Sequence, residues 1–164
     1  MSDSRVLILM GSDSDAPVMQ AAGDVLEKFG IAYTMTVASA HRSPDRVRGL
    51  IDEAHAAGVG AFIVGAGAAA HLAGVVAAHS SRPVIGVPID STALKGMDAL
   101  LATVQMPPGV PVATMAIGKA GATNAAVLAA QILATADSAL VDALVEYKAS
   151  LVAKVEAAAA RVER

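Results

Sequence analysis

Arg5-Val6-Leu7-Ile8-Leu9-Met10-Gly11 is an apolar run of strand length closed by a glycine, and the pattern after it changes period. Val18, Ala22, Val25, Leu26 and Phe29 recur at helical spacing until Gly30, a residue suited to end a helix. Tyr33–Val37 then reads as a second strand. Ser43 and Pro44 offer an N-cap and a proline at the first helical position, and Val47, Leu50, Ile51 and Ala54 carry an apolar stripe to Gly58. Further strands read at Ala61–Val64, at Val84–Val87 between Pro83 and Pro88, and at Val112–Ile117 after the Pro107-Pro108-Gly109 turn. Helices read at Ala125–Leu133 and, capped by Asp137, onward toward Arg164. Strand–helix alternation with no linker, repeat or charge block predicts one α/β domain over 1–164, a parallel sheet with helices on both faces. Residues 137–164 form a C-terminal helical extension of it.

Hydrophobic residues make up 55% of the chain and charged ones 16%, yet no apolar run approaches the roughly 20 residues of a membrane helix. The surplus is mostly alanine, and an alanine-rich, charge-poor surface points to subunit contacts. A net charge of −3 argues against the broad basic face that nucleic acid or an anionic membrane would require. The only aromatic residues are Phe29, Phe62, Tyr33 and Tyr147, so no platform for stacking single-stranded bases exists. The absence of cysteine excludes disulfides, thiolate metal sites and a cysteine nucleophile. Val6–Met10 is too short for the apolar core of a signal peptide, and cytoplasmic residence is the expectation.

In an open parallel sheet, loops at the carboxyl ends of neighbouring strands face one crevice, where such folds bind ligands. Two of those loops carry the polar side chains: Gly11-Ser12-Asp13-Ser14-Asp15 and Ser39-Ala40-His41-Arg42-Ser43-Pro44. Serines and arginine suit a phosphate, aspartate a sugar hydroxyl, and histidine a proton transfer near neutrality. Ser12 and Asp15 also suit plain capping of the helix that begins near Ala16. Capping needs one such residue, however, and the helix start is expected to offer backbone N–H groups to an anion. No Walker lysine follows, so ATP hydrolysis is not indicated. A third loop, Gly65 to Ala70 followed by His71, is built from side chains small enough for a flat ligand to reach the backbone; tight strand–helix packing explains Gly65 and Gly67 equally well. His71 either starts the next helix and touches the ligand or merely caps that helix. His55 and His79 are weaker candidates, and no His and carboxylate set has metal-ligand spacing.

Together these residues resemble the PurE family, the N5-carboxyaminoimidazole ribonucleotide mutases of purine biosynthesis. The match runs through Gly11–Asp15, Ser39–Asp45, Ala69-Ala70-His71-Leu72, Val104–Pro107 and Ile117–Gly121, in register from Val6 to about Leu133. The resemblance implies a flavodoxin-like three-layer α/β/α sandwich assembled as a homo-octamer, with the C-terminal helix packing on neighbouring subunits. It implies that Ser12, Ser14, Ser39 and Arg42 bind a nucleotide phosphate and Asp15 the ribose hydroxyls. The backbone around Ala66, Gly67, Ala70, His71 and Leu72 would face the aminoimidazole, and His41 would be the general acid and base. No metal or organic cofactor is implied. A carboxylase branch of the family uses free carbon dioxide, with lysine after the catalytic histidine and no Ala-Ala-His loop; Arg42 and Ala69-Ala70-His71 place this chain with the mutases. Ala73 stands where many members have proline, and Asp13, inside the phosphate loop, is expected to face solvent.

The C-terminal stripe of Leu140, Leu144, Tyr147, Leu151 and Val155, widened by Val141, Val145 and Val152, exceeds what one sheet face requires. It fits either a second subunit or its own domain. A flavodoxin-like binding or signalling module is the rival class. A receiver would carry an aspartate at the end of its third strand, where Phe62-Ile63-Val64-Gly65 has none, and a flavodoxin would carry aromatic rings around its flavin.

Overall fold

A computed structural model describes residues 5–163; Met1–Ser4 and Arg164, which the single-domain reading included, lie outside the described residues. Five parallel strands form one sheet in the order β2-β1-β3-β4-β5. They are β1 Val6–Met10, β2 Tyr33–Val37, β3 Ala61–Gly67, β4 Val84–Ile89 and β5 Ala113–Thr114. The helices are α1 Ala16–Lys28, α2 Pro44–Ala56, α3 Leu72–His79, α4 Met97–Val104, α5 Lys119–Ala134 and α6 Ser138–Val162, with a 3₁₀ turn at Asp13–Asp15.

The uninterrupted apolar reading of β1 follows from burial on both faces. Val6, Ile8 and Met10 enter one core with Met19, Ala22 and Leu26 of α1 and the Ala122, Ala125, Ala126, Ala129 and Ala130 stripe of α5. Leu7 and Leu9 point the other way, to Val47 and Ile51 of α2, Val76 of α3 and Ala99 of α4. This is the three-layer α/β/α sandwich. Its strand order reverses at β1 and β3, so the crevice lies above their carboxyl ends.

Three boundaries differ from the sequence reading. β3 continues past Val64 through Gly65, Ala66 and Gly67, which pair with Val87, Pro88 and Ile89 of β4. The glycines are there for packing. A Cβ on Gly65 would strike Met19 Sδ, and one on Gly67 would strike Ser91 Oγ. β4 correspondingly runs through Pro88, whose carbonyl accepts from Gly118 N at 2.9 Å on the side where β5 has already ended. The missing N–H therefore falls outside the ladder. β5 is two residues rather than Val112–Ile117, a short edge of the kind that discourages further strand pairing.

Two helices also differ. α5 begins at Lys119, six residues ahead of the expected start, because Gly121 sits inside its first turn rather than in a loop. α4 is absent from the sequence reading altogether. It is apolar on both faces, with Ala99 buried and Met97, Leu101 and Val104 about half exposed, which erases the amphipathic period.

The root of α6 is fixed as the sequence indicates. Asp137 Oδ1 accepts from Ala139 N at 3.2 Å, and Asp137 Oδ2 meets Arg5 Nη1 at 2.6 Å. The Arg5 guanidinium holds the Asp137 carboxyl below the usual carboxylate range. The first half of the terminal stripe packs on its own domain. Leu140, Ala143, Leu144 and Tyr147 pack on the domain, Tyr147 edge-on to Phe29 with centroids 5.3 Å apart. Beyond them Val152 and Val155 stand 57% and 69% exposed, so the second half is an uncovered apolar arm. No helix among the described residues is long and apolar enough to cross a membrane.

Candidate active site

The β1–α1 loop is wound by its own side chains. Ser12 Oγ accepts from Ser14 N at 3.3 Å while Asp15 Oδ2 accepts from Ser12 N at 3.2 Å, a reciprocal capping box on the 3₁₀ turn. Ser14 Oγ donates to Ser12 Oγ at 2.9 Å. With Asp15 N bonded to Ser12 O and Ala16 N to Asp13 O, the N–H groups at 12, 14, 15 and 16 are engaged. This narrows the expectation that the helix start offers free backbone donors, since four of its N–H groups are already bonded. The hydroxyls and the next loop's guanidinium are then the principal side-chain groups to meet an anion. Asp15 is only 6% exposed, and burial pushes its carboxyl above the usual range against the lowering effect of its Ser12 N–H bond. Asp13 is exposed.

The β2–α2 loop is a tight turn with His41 at its apex. Ser39 O accepts from Ser43 N at 2.9 Å, and Ser39 Oγ accepts from Arg42 N at 3.2 Å. Ser43 occupies the N-cap position but does not cap. Its Oγ instead accepts from Ser39 N at 3.0 Å, closing the turn from below. Arg46 pins the helix start to β2 through Val37 O at 3.0 Å and Thr36 Oγ1 at 3.1 Å. The Arg42 guanidinium reaches back over the first loop, its Nη2 donating to Gly11 O at 3.4 Å.

These loops enclose a cavity of about 210 Å³ lined by Gly11, Ser12, Ser14, Asp15, Ser39, Ala40, His41, Arg42, Ala66, Gly67, Ala69, Leu72 and Ser91. A second cleft of about 430 Å³ shares Gly11, Ser12, Ser39 and Arg42 and adds Asp13, Val37, Ala38 and Ser43. Arg42 thus lies along both, with a hydroxyl from each loop on either side. The geometry suits an anionic group held in the outer cleft and a planar ring placed against Ala66, Gly67 and Ala69.

Of the residues singled out from sequence, Ser12, Ser14, Asp15, Ser39, His41, Arg42, Ala66, Gly67 and Leu72 converge on the cavity. Ala70 does not. It is fully buried beneath the β3–α3 loop. His71 stands outside the lining but bonds to His41, Nε2 to Nδ1, at 2.8 Å. Ser91 is the residue missed, and its signal was indirect. The small Gly67 opposite makes sense only if another side chain occupies that space. His55 Nε2 bonds Ser80 Oγ at 2.9 Å and His79 ends α3, both away from the cavity. Among the described residues no group of three or more His, Asp or Glu could hold a metal ion.

A family model described as AIR carboxylase (AIRC) matches residues 5–154. An N5-carboxyaminoimidazole ribonucleotide mutase of Vibrio parahaemolyticus is 51% identical over 153 residues, covering 93% of this chain and 88% of that protein. The mutase of Escherichia coli K12 is 50% identical over 88% of this chain and 86% of its own. That of Thermotoga maritima is 48% identical over 98% and 92%. Among solved structures, Treponema denticola PurE superposes with a TM-score of 0.87 at 29% identity, covering 97% of this chain and 98% of that one. Matched over nearly its whole length by this family, and about half identical to relatives that it covers almost end to end, the chain belongs to the AIR carboxylase (PurE) family.

Proposed function

We propose that this protein is an N5-carboxyaminoimidazole ribonucleotide mutase of purine biosynthesis, moving a carboxylate from the exocyclic nitrogen of its substrate to ring carbon four. The observation that carries this reading is the convergence of His41, Arg42 and the hydroxyls of Ser12, Ser14 and Ser39 on one cavity, in a chain about half identical to mutases. Arg42 and the three serines take the nucleotide phosphate, which a guanidinium fork fits better than an ammonium. Asp15, buried behind them, takes the ribose hydroxyls. The backbone at Ala66, Gly67 and Ala69 faces the aminoimidazole.

In the first step the N–C bond breaks, carbon dioxide leaves, and its electron pair remains on the exocyclic nitrogen, which His41 protonates. Carbon four then attacks the carbon dioxide. His41 removes the proton from carbon four, restoring the ring and its own charge. One residue thus serves both steps, and no net proton is consumed. Holding carbon dioxide beside the carbon it must reach replaces a dilute encounter with an effectively unimolecular step, a gain of about 7–11 kcal/mol for well-oriented reactants.

The test supplies N5-carboxylated substrate with labelled bicarbonate in the buffer. Carboxylated product is expected without ATP and with little label at early times, while aminoimidazole ribonucleotide with physiological bicarbonate reacts poorly. Efficient turnover of that second mixture would assign the chain to the carboxylase chemistry, and inertness in both would overturn the reading.

The uncovered arm of α6 and the exposed Leu94, Met97, Leu101 and Val104 around α4 support a homo-octamer in which such faces cover one another. Deleting the chain after Ala136 is then expected to give smaller or aggregated species in light scattering, and an intact octamer would refute the role of the helix. Cytoplasmic residence is part of the same proposal.

A further inference from the structure

His41 and His71 come from different loops, β2–α2 and β3–α3, yet meet Nε2 to Nδ1 at 2.8 Å, with rings 5.0 Å apart and edge-on at 78°. A strained backbone brings His71 there. Ala68 is left-handed at φ 51°, a conformation that costs an L-residue with a side chain about 1–2 kcal/mol. Two short turns follow, Ala70 N to Ala68 O at 2.9 Å and His71 N to Ala69 O at 2.8 Å. On either side of His71, Ala70 and Leu72 are buried at 0% and 2% exposure, anchoring the backbone that presents the exposed ring.

A hydrogen bond between two imidazoles has one donor and one acceptor. With the proton on His41 Nε2, His71 Nδ1 must be bare. With the proton on His71 Nδ1, His41 Nε2 must be bare. The contact therefore couples the tautomers of the two rings, so that the state of His71 Nδ1 bears on the state of His41 Nε2. We propose that His71 is a positioning residue for His41, its Nδ1 holding the His41 ring at the cavity and setting its protonated nitrogen. Neutral His71 accepts when His41 is an imidazolium, and donates through Nδ1–H after its own tautomer exchanges, so the contact serves both halves of the proton cycle. The catalytic consequence rests on the mutase reading; the tautomer coupling does not.

The experiment compares the full chain with its His71→Ala and His71→Asn variants, reading His41 by ¹⁵N NMR without ligand and by steady-state kinetics with N5-carboxylated substrate. Asparagine keeps a polar atom near the place of Nδ1, and alanine keeps none. Wild type is expected to show one dominant His41 tautomer, the alanine variant a mixture, and the asparagine variant a return toward wild type. In the assay, kcat of the alanine variant should fall about 10-fold or more, the scale on which orienting partners act, with KM little changed and asparagine recovering most of the loss. An unaltered His41 tautomer in the alanine variant overturns the proposal. So does a loss confined to KM, which would make His71 a substrate contact. Should the alanine variant fail to fold, His71→Gln, whose amide falls away from the Nδ1 position, takes its place with the same expectations. A wild type that shows the coupling but no turnover would sink the mutase reading and leave the positioning intact.

Discussion

Turnover of a His41→Asn variant is expected to fall by about 10²–10⁴-fold, the usual cost of losing a general acid–base. Asparagine keeps roughly the bulk of the inner half of the imidazole but neither gains nor releases a proton in the range where the enzyme works. The tight turn that carries residue 41 is closed by Ser39, Arg42 and Ser43, none of which uses the imidazole. The fold of the loop should therefore survive the change. Nucleotide affinity should survive as well, because the proposed phosphate contacts lie on Ser12, Ser14, Ser39 and Arg42. Steady-state kinetics paired with calorimetric nucleotide binding would check both halves, and activity within a few fold of wild type would reject His41 as the proton carrier.

The largest stability effect is expected at Gly121, in the first turn of α5. A Cβ there would run into the backbone of Ala116, its carbonyl oxygen first and its carbonyl carbon close behind. Backbone between β5 and α5 cannot swing aside as a long side chain can. Gly121→Ala should therefore cost at least the upper part of the roughly 1–3 kcal/mol seen for overpacking. For a domain of this size that is a drop in Tm of roughly 6–12 °C. Gly49 supplies the contrast. It lies within α2, and a methyl group added to it would meet nothing within 4 Å. Gly49→Ala should stabilise by about 0.5–1 kcal/mol through helix propensity alone. Thermal denaturation of the two variants should move in opposite directions, and equal shifts would refute the packing account.

The strands that bury both faces were legible in the sequence because a continuous apolar run needs no partner to be recognised. Tyr33–Val37 is read with its observed bounds, and Gly30 and Asp137 mark helix boundaries through turn and cap chemistry that is local to them. Elements defined by remote neighbours were not. The extension of β3 through Gly65 and Gly67 depends on Met19 and Ser91, residues far away in the chain that fill the space a Cβ would take. α4 escaped notice because its outer face is as apolar as its inner one. The same division holds at the site. Ser12, Asp15, His41 and Arg42 stand out by residue type in a chain dominated by alanine and aliphatics. Ser91 reaches the cavity only through the register of β4, and the burial of Ala70 follows from the strained turn before it, which no propensity of alanine announces.

The two perturbed carboxylates give acid opposite effects at opposite parts of the molecule. Asp15 has a raised folded-state pKa, so stability is lost as pH rises through it and regained on acidification, when the buried group takes up its proton. Asp137 has a lowered one, so its contribution is present above the unfolded value and lost as pH falls through the folded value, when Arg5 loses its partner. Falling pH thus relieves the cost of burying the Asp15 carboxylate while it weakens the Arg5–Asp137 tie at the root of α6. In acid the charged tie at the root of α6 is expected to go first, leaving the apolar packing of Leu140, Leu144 and Tyr147 to hold the helix on the domain.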